Sequence, residues 1–190
     1  MNRPMEYEEE ILNTTKRGIS FSRHWAMSNK NTFEIKPIGE LIERYYHKNS
    51  IDPFANRNKI ASITNDINPD FKTDYNLDAI DFLKLFGGES TDLVLYDPPY
   101  SPRQVSEVYK QFDKTVNMQT TQGSYWSEHK QEIGRIVKPG GICITFGWNS
   151  GGIGKKYGFE IIEIMLVAHG SWKNDTIVTV ERKFTNTLFV

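Results

Sequence analysis

The feature that most constrains the fold of this chain is an apolar segment that runs directly into two consecutive prolines. Residues 93–96 read Leu-Val-Leu-Tyr, and Asp97, Pro98, Pro99 and Tyr100 follow without a break. A short, continuous apolar run is typical of a strand that is buried on both faces of a parallel sheet. A residue that precedes a proline is pushed into extended backbone, so Asp97 and Pro98 are held stiffly. The pattern therefore predicts a central strand that presents these four residues at its carboxyl end.

Strand-like and helix-like patterns alternate along most of the remaining sequence. Helices are predicted over residues 37–47, 77–86, 101–112 and 126–138, and strands over 50–55, within 58–67 and over 142–148. Residues 159–184 are predicted to form an antiparallel hairpin that supplies an edge strand. Alternating strands and helices are typical of an α/β fold with a doubly wound, mostly parallel sheet. Such sheets bind ligands at the carboxyl ends of their strands.

Length and composition fit a single globular domain. The chain has 190 residues, of which 38% are hydrophobic, so it can bury one core and has little room for a second. Residues 1–32 are polar and mixed, and we expect an arm or a short helix packed on a domain of residues 33–190. There is no signal-peptide pattern and no apolar run of roughly 18 residues, so a cytoplasmic location is expected. Cys143 is the single cysteine, which excludes an internal disulfide.

Charge and metal-ligand spacing narrow the range of functions. The net charge is −1, which counts against a large, non-specific nucleic-acid footprint because dedicated nucleic-acid-binding domains are usually more basic. Lysine and arginine recur in the first 60 residues, so a local basic face remains compatible with the sequence. The four histidines show no metal-ligand spacing, and no metal site is expected.

The Asp97-Pro98-Pro99-Tyr100 segment has the chemistry that is needed to activate an aromatic amine. The nitrogen lone pair of such an amine is delocalised into its ring, and attack on a methyl donor requires that lone pair to be localised. Two rigid acceptors, the Asp97 carboxylate and the Pro98 carbonyl, can take both N–H hydrogens and stabilise the positive charge that develops on nitrogen. The Tyr100 ring offers a face on which a base can stack, worth about 1–3 kcal/mol. A proline-terminated strand with a purely structural role is the alternative.

These four residues resemble the catalytic motif of the DPPY-type amino-methyltransferases, which methylate adenine N6 or cytosine N4. The resemblance implies a seven-stranded Rossmann-like methyltransferase sheet with a C-terminal antiparallel hairpin, and S-adenosyl-L-methionine as the methyl donor. It implies catalytic roles for Asp97, Pro98, Pro99 and Tyr100 on an adenine that is flipped out of DNA. DNA is then the expected partner, and RNA is less favoured. The short chain resembles small members of the family that phages and mobile elements often encode.

Further segments resemble the family in the same order along the chain. They comprise a turn after the first strand, a carboxylate that can bind ribose after the second, an acidic residue before the next helix, and an N-terminal element. The cofactor-binding residues implied by these segments are Asp52, Pro53, Phe54, Ala55, Asn56, Asp66, Asp78, Phe33 and Pro37. The residues implied to contact the substrate base are Tyr100, Ser101, His169 and Trp172. Core packing for Phe33, and hairpin-turn roles for His169 and Trp172, are the structural alternatives.

Two features depart from the family pattern. The glycine turn after the first strand is replaced by Ala55-Asn56-Arg57-Asn58. Asparagine is the best non-glycine residue for left-handed backbone, so Asn56 or Asn58 is expected to make the turn, with Arg57 pointing outward. The chain also lacks room for a separate target-recognition region of tens of residues. The remaining candidates for base recognition are the predicted loop of residues 113–125, the N-terminal arm and the hairpin loop of residues 169–175. We therefore expect relaxed specificity, or a homodimer or partner that supplies recognition.

Three alternatives remain open at this point. The same four residues could methylate adenine N6 in RNA. Cytosine N4 in DNA is the second alternative, although Ser-Pro-Pro-Tyr is commoner in cytosine enzymes and Asp97 therefore favours adenine. The third is a catalytically inactive subunit that binds cofactor or nucleic acid, which the missing glycine turn motivates.

Overall fold

The structure is a computed structural model of the chain and describes residues 10–11, 18–101, 103–104, 106, 123–170 and 173–185. The strands are β1 (Glu10–Ile11), β2 (Ser20–Trp25), β3 (Ser50–Asp52), β4 (Ile63–Thr64), β5 (Thr91–Tyr96), β6 (Val137–Gly147), β7 (Phe159–Ala168) and β8 (Thr176–Lys183). The helices are α1 (Lys36–Tyr45), α2 (Ala79–Lys84) and α3 (Gly123–Ile136), with short 3-10 turns at Thr32–Glu34 and Lys155–Tyr157.

The strands join one mixed sheet in the order β1-β2-β7-β8-β6-β5-β3-β4. The pairs β3/β4, β3/β5, β5/β6 and β2/β7 are parallel, whereas β8 runs antiparallel to both β6 and β7. Strands β2 to β8 thus confirm the predicted seven-stranded, mostly parallel Rossmann-like α/β sheet with its C-terminal hairpin, β7–β8. The chain passes from β4 on one side of β3 to β5 on the other. Open α/β sheets bind ligands at such a switch point.

Residues 20–25 differ from the arm or short helix that we expected before residue 33. They form β2, which pairs with β7 from Ser20↔Glu163 to Trp25↔Ala168. The hairpin therefore does not supply the edge of the sheet, because β2 and β1 lie outside β7 and β8 lies inside. Ser22 is the one buried residue of β2. Backbone pairing rather than apolar burial holds this strand, so its side-chain pattern did not reveal it.

Strand β5 is buried on both faces, as its apolar sequence predicts. Leu93 and Leu95 pack with α1 on one face of the sheet. Val94 and Tyr96 pack with α2 and α3 on the other face. Each of these side chains is at most 1% exposed. Helices on both faces make the sheet doubly wound and bring the end of β5 to the centre of the molecule.

Two predicted segments lie largely outside the described residues. Of the helix predicted over 101–112, Arg103, Gln104 and Ser106 are described, and all three are helical. Of the loop predicted over 113–125, only residues 123–125 are described, and they begin α3. In the part of the chain that the structure covers, no helix has the length and apolar character needed to cross a membrane.

Candidate active site

A cavity of about 540 Å³ lies at the switch point of the sheet. Its walls come from the segments that follow three strands: Pro53 and Phe54 after β3, Asp66 after β4, and Asp97 and Tyr100 after β5. The volume falls within the range of about 300–1,000 Å³ that is usual for small-ligand sites. The topology of the chain therefore brings residues far apart in sequence to one cavity.

The Asp97 carboxylate receives hydroxyl donors from two directions. The Tyr100 hydroxyl donates to Asp97 Oδ1, and the Thr32 hydroxyl also donates to this carboxylate. Burial raises the pKa of Asp97, and the two hydrogen bonds oppose that rise. Burial and the Asp97 charge raise the pKa of Tyr100, so its phenol remains a neutral donor. A carboxylate has about four lone-pair sites, so Asp97 retains capacity to accept from a ligand.

The second half of the same segment, Pro99 and Tyr100, is fixed by contacts from helical residues. The Trp126 indole Nε1 donates to the Pro99 carbonyl over 3.1 Å. The Tyr100 backbone N–H donates to Gln104 Oε1 over 2.6 Å. Pro98 is buried and lines the cavity. Since Trp126 engages the Pro99 carbonyl, the Pro98 carbonyl is the better candidate to accept from a ligand.

An asparagine closes the turn after β3. Asn56 has a φ of +52°, which is left-handed backbone. This confirms that an asparagine makes the turn at which the family's glycine is missing. Its N–H donates to Asp66 Oδ2 over 2.9 Å, and Asp66 Oδ1 accepts the Asn68 N–H over 2.9 Å. Arg57 is exposed, with its guanidinium carbon 5.6 Å from the Phe71 ring centroid, so the expectation that it points outward is also confirmed.

Asp52 lies fully buried directly before the cavity-lining Pro53. Its Oδ1 accepts the Phe54 N–H over 2.9 Å, but its Oδ2 has no hydrogen-bond partner among the described residues. Burial raises the pKa of Asp52, and the charges of Asp97 and Asp66 add to the rise. A buried polar atom without a partner is costly. Asp52 does not itself line the cavity, so its carboxyl lies behind the wall that Pro53 and Phe54 form.

Asn65, which the sequence analysis did not single out, ties the turns after β3 and β4 together. Its side-chain amide donates to the Pro53 and Leu77 carbonyls, each over 3.1 Å. Its Oδ1 accepts the Leu77 N–H over 2.9 Å, and its backbone N–H donates to the Asp52 carbonyl over 2.8 Å. Asparagine is common at any strand end, so the sequence offered no signal for this role.

Carboxylates dominate the wall of the cavity. Asp66, Asp78 and Asp97 line it, and Lys30 is the one lysine or arginine among the described lining residues. Asp78 also caps α2, because its Oδ1 accepts the Ile80 N–H over 3.1 Å. Burial raises the pKa of Asp66 as it does that of Asp97. This surplus of negative charge favours a positively charged ligand.

The structure brings most of the residues implied by the sequence to one place. Those that line the cavity are Pro53, Phe54, Asn56, Asp66, Asp78, Asp97, Pro98, Pro99 and Tyr100. Asp52 and Ala55 are fully buried behind them. Ser101 does not line the cavity, and its Oγ accepts the Gln104 N–H over 3.3 Å. Trp172 lies outside the described residues.

Phe33 and Pro37 lie in the core rather than at the cavity, which corrects our expectation. Phe33 is 4% exposed and packs on Phe146, with ring centroids 4.8 Å apart. Pro37 is buried in the first turn of α1. The same segment lines the cavity through Asn31 and Thr32 instead. Successive side chains of the 3-10 turn leave in different directions, so Thr32 reaches the cavity where Phe33 reaches the core.

His169 also lies away from the cavity, and its contacts are structural. It is 7% exposed, with Nδ1 2.9 Å from the Ala26 carbonyl oxygen and Nε2 2.8 Å from Thr176 Oγ1. Strand β2 brings Ala26 beside the hairpin, and the imidazole joins the end of β2 to the start of β8. The unexpected strand therefore gives His169 structural partners outside the cavity lining.

His129 supports the cavity wall from behind. It is 1% exposed, and its ring centroid lies 4.4 Å from that of Tyr125 and 5.6 Å from that of Phe54. The Tyr96 hydroxyl lies 3.2 Å from its Nδ1. Burial lowers the pKa of His129 from 6.5 to about 4. The fold therefore accommodates the neutral imidazole.

We expect His129 to make the protein sensitive to acid. The stability that its neutral form contributes is fully present above pH 6.5 and is lost as the pH falls through about 4. The lowered pKa corresponds to roughly 3 kcal/mol over that window. The free energy of unfolding can be measured in urea at pH 7 and pH 4 for wild type and for His129→Gln, whose amide can still contact Tyr96. Between the two pH values, wild type should lose roughly 3 kcal/mol more than the variant. Equal losses in the two proteins would contradict this role.

Comparison with known proteins places the fold. No protein-family model matches the chain, and no curated protein matches it. Among solved structures, TrmN from Thermus thermophilus has a TM-score of 0.53 at 13% identity, over 79% of this chain and 49% of that one. A putative DNA modification methylase from the same organism has a TM-score of 0.38 at 16% identity, over 56% of this chain and 50% of that one.

A third similar structure is the N-methyltransferase NodS from Bradyrhizobium japonicum WM9, in complex with S-adenosyl-L-homocysteine. It has a TM-score of 0.48 at 12% identity, over 82% of this chain and 89% of that one. The chain spans about half the length of TrmN and of the modification methylase. At 13% identity the similarity to TrmN shows the fold alone.

Proposed function

We propose that the chain is an S-adenosyl-L-methionine-dependent methyltransferase that methylates adenine N6 in DNA. The observation that carries the proposal is a single cavity with two chemically different walls. One wall is formed by Asp97-Pro98-Pro99-Tyr100 and offers acceptors and an aromatic ring to an exocyclic amine. The other wall is formed by the carboxylate-rich turns after β3 and β4 and suits a cationic nucleoside.

The donor wall fits S-adenosyl-L-methionine in charge and in polar contacts. When bound, this cofactor supplies an electrophilic methyl group on a positively charged sulfur. Asp66 and Asp78 line the cavity and provide carboxylate oxygens for the hydroxyl and amino groups of the cofactor. Asn56 takes the left-handed backbone that glycine would supply. The turn is therefore intact, which favours an active enzyme over an inactive subunit.

The amine wall would activate the base by positioning and polarisation. Asp97 and the Pro98 carbonyl accept the two N–H hydrogens and localise the nitrogen lone pair. The nitrogen then forms a bond to the methyl carbon while the carbon–sulfur bond breaks, and that electron pair stays on sulfur. The product nitrogen loses a proton to Asp97 or to water. Positioning in line and stabilisation of the developing positive charge account for most of the proposed rate enhancement.

Adenine is favoured over cytosine because an aspartate stands first in the tetrapeptide. The resemblance to the DPPY-type enzymes supports this choice, since cytosine enzymes more often have serine there. DNA is the proposed partner, and the base would reach the cavity by leaving the stack. The limited size of the chain supports short-site or relaxed specificity, or a homodimer or partner that supplies recognition.

Nucleoside mass spectrometry after expression in a methylation-free host tests this proposal. We expect N6-methyladenine in the DNA of cells that express the chain and none in cells that carry the empty vector. Calorimetric titration with S-adenosyl-L-methionine should detect binding to the purified protein. N6-methyladenine confined to RNA, or N4-methylcytosine in DNA, would replace the proposed substrate. Absence of both donor binding and modified nucleosides would overturn the enzymatic assignment.

A further inference from the structure

Trp148 is an exposed aromatic residue beside the tetrapeptide that the proposed mechanism does not yet use. It directly follows β6, which ends at Gly147. Strands β5 and β6 are parallel, with Tyr96 opposite Thr145. The chain therefore leaves β6 at the same edge of the sheet, and at nearly the same level, as it leaves β5 into Asp97-Pro98-Pro99-Tyr100.

The Trp148 indole contacts the Tyr100 ring from outside the cavity. The two ring centroids lie 5.4 Å apart with an interplanar angle of 68°. Tyr100 lines the cavity and Trp148 does not, and Trp148 is 43% exposed. The two rings thus form a corner, with one wall towards the proposed catalytic carboxylate and the other towards solvent.

Hydrogen bonds anchor the loop that carries Trp148, so the indole is held at an exposed position. The Asn149 Oδ1 accepts the Gly151 N–H over 2.9 Å. The buried Glu181 carboxylate accepts the backbone N–H of Ile153, and that of Gly154 over 2.9 Å. The loop holds the Trp148 indole in a fixed position and leaves much of the ring surface exposed. Such a surface suits a flat aromatic ligand.

We propose that Trp148 is the outer wall of the base pocket and holds an unstacked nucleobase in the corner that it forms with Tyr100. This inference rests on the proposed function, since it takes the substrate to be a nucleic-acid base. A base in this corner can stack on one ring while its edge meets the other. Stacking on aromatic side chains tolerates any base, so Trp148 favours unpaired over paired nucleic acid without reading sequence.

Binding of single-stranded DNA tests the inference without requiring turnover. The probe is a fluorescein-labelled single-stranded oligonucleotide of mixed sequence, with its duplex as the comparison, in the presence of S-adenosyl-L-homocysteine. Trp148→Ala should weaken binding of the single strand by about 5- to 150-fold, the range that corresponds to stacking of one base. Trp148→Phe should restore most of the affinity.

Trp25→Ala is the matched control, because Trp25 is also 43% exposed and ends β2, which β7 and β8 separate from β6. It should bind the single strand like wild type. Unchanged affinity in Trp148→Ala, or an equal loss in Trp25→Ala, overturns the inference. Thermal unfolding of each variant shows whether a loss of affinity comes from loss of the fold. Trp148→Phe keeps an aromatic ring at this position, so it tests whether the ring itself is required for binding.

Failure of the proposed function would look different. A wild-type protein that binds single strands through Trp148 but methylates no nucleic acid would retain this inference and reject the enzyme. A protein that methylates DNA with the same KM in wild type and Trp148→Ala would retain the enzyme and reject the base-pocket wall. In the expected case, Trp148→Ala raises KM for heat-denatured DNA while the affinity for the methyl donor stays unchanged.

Discussion

Replacement of Asp97 by alanine is expected to lower kcat for methyl transfer to DNA by about 10²–10³-fold. Asp97 is one of the two acceptors proposed to hold the amine, and loss of one preorganised polar group that stabilises developing charge typically has an effect of this size. The mutation also removes the acceptor for the Tyr100 and Thr32 hydroxyls. Transfer of a labelled methyl group from S-adenosyl-L-methionine to DNA measures kcat and KM directly.

Asp92→Ala is the control for this experiment, because Asp92 is an aspartate at the opposite end of the same strand. Its carboxylate accepts from Lys138 Nζ and Asn49 Nδ2, over 2.8 and 2.7 Å. Five residues of strand put it about 16 Å from Asp97. Asp92→Ala should keep the wild-type kcat. Wild-type activity in Asp97→Ala, or the same loss in both variants, would be incompatible with the assigned role.

The pH dependence of the reaction gives a second readout of the same carboxylate. Asp97 is proposed to accept one of the two amine hydrogens and to stabilise the developing positive charge as an ionised carboxylate, and burial raises its pKa. The rate should therefore fall on acidification at a higher pH than an ordinary aspartate would cause. Thr32→Val removes a hydrogen bond that opposes the rise, so it should move the acidic limb to higher pH, and Thr32→Ser should move it back.

The central part of the fold and one wall of the site could be predicted because their signals are local. Residues 93–96 are apolar without interruption, and both faces of β5 are in fact covered. The two prolines after Asp97 mark the strand end in the sequence itself. The turn after β3 was also predictable, because asparagine is the best substitute for glycine in left-handed backbone. The structure shows Asn56 in that conformation.

The N-terminal contribution could not be predicted, because it depends on pairing with a distant segment. Strand β2 has a polar sequence, and its partner β7 lies about 140 residues later along the chain. Because the sequence did not reveal β2, His169 was expected beside the cavity. In the structure its Nδ1 instead lies against the Ala26 carbonyl, which follows β2. The choice of Phe33 over Thr32 failed for a related reason. Hydrophobicity identifies which residues are buried, but not which neighbour in a tight turn faces a cavity.

Gly152, in the loop that carries Trp148, is constrained both by its left-handed backbone and by the nearby Glu181 carboxylate. Gly152→Ala is therefore expected to lower the free energy of unfolding by about 2–5 kcal/mol. Gly152 has a φ of +52°, and a Cβ there would lie 2.3 Å from Glu181 Oε2. Left-handed backbone costs an L-residue about 1–2 kcal/mol. Overpacking of a buried site adds about 1–3 kcal/mol. Glu181 cannot move away freely, because its carboxylate holds the backbone N–H groups of Ile153 and Gly154.

Two further variants separate these constraints in urea unfolding. Gly158 has a φ of +88° and no atom within 4 Å of its ideal Cβ, so Gly158→Ala should show the backbone cost alone. In a Glu181→Ala background the steric conflict is gone, and Gly152→Ala should then cost no more than Gly158→Ala. Neighbours that share one contact typically couple by about 0.5–3 kcal/mol. If the cost of Gly152→Ala were the same with and without the Glu181 carboxylate, the buried carboxylate would not be what fixes this loop beside Tyr100.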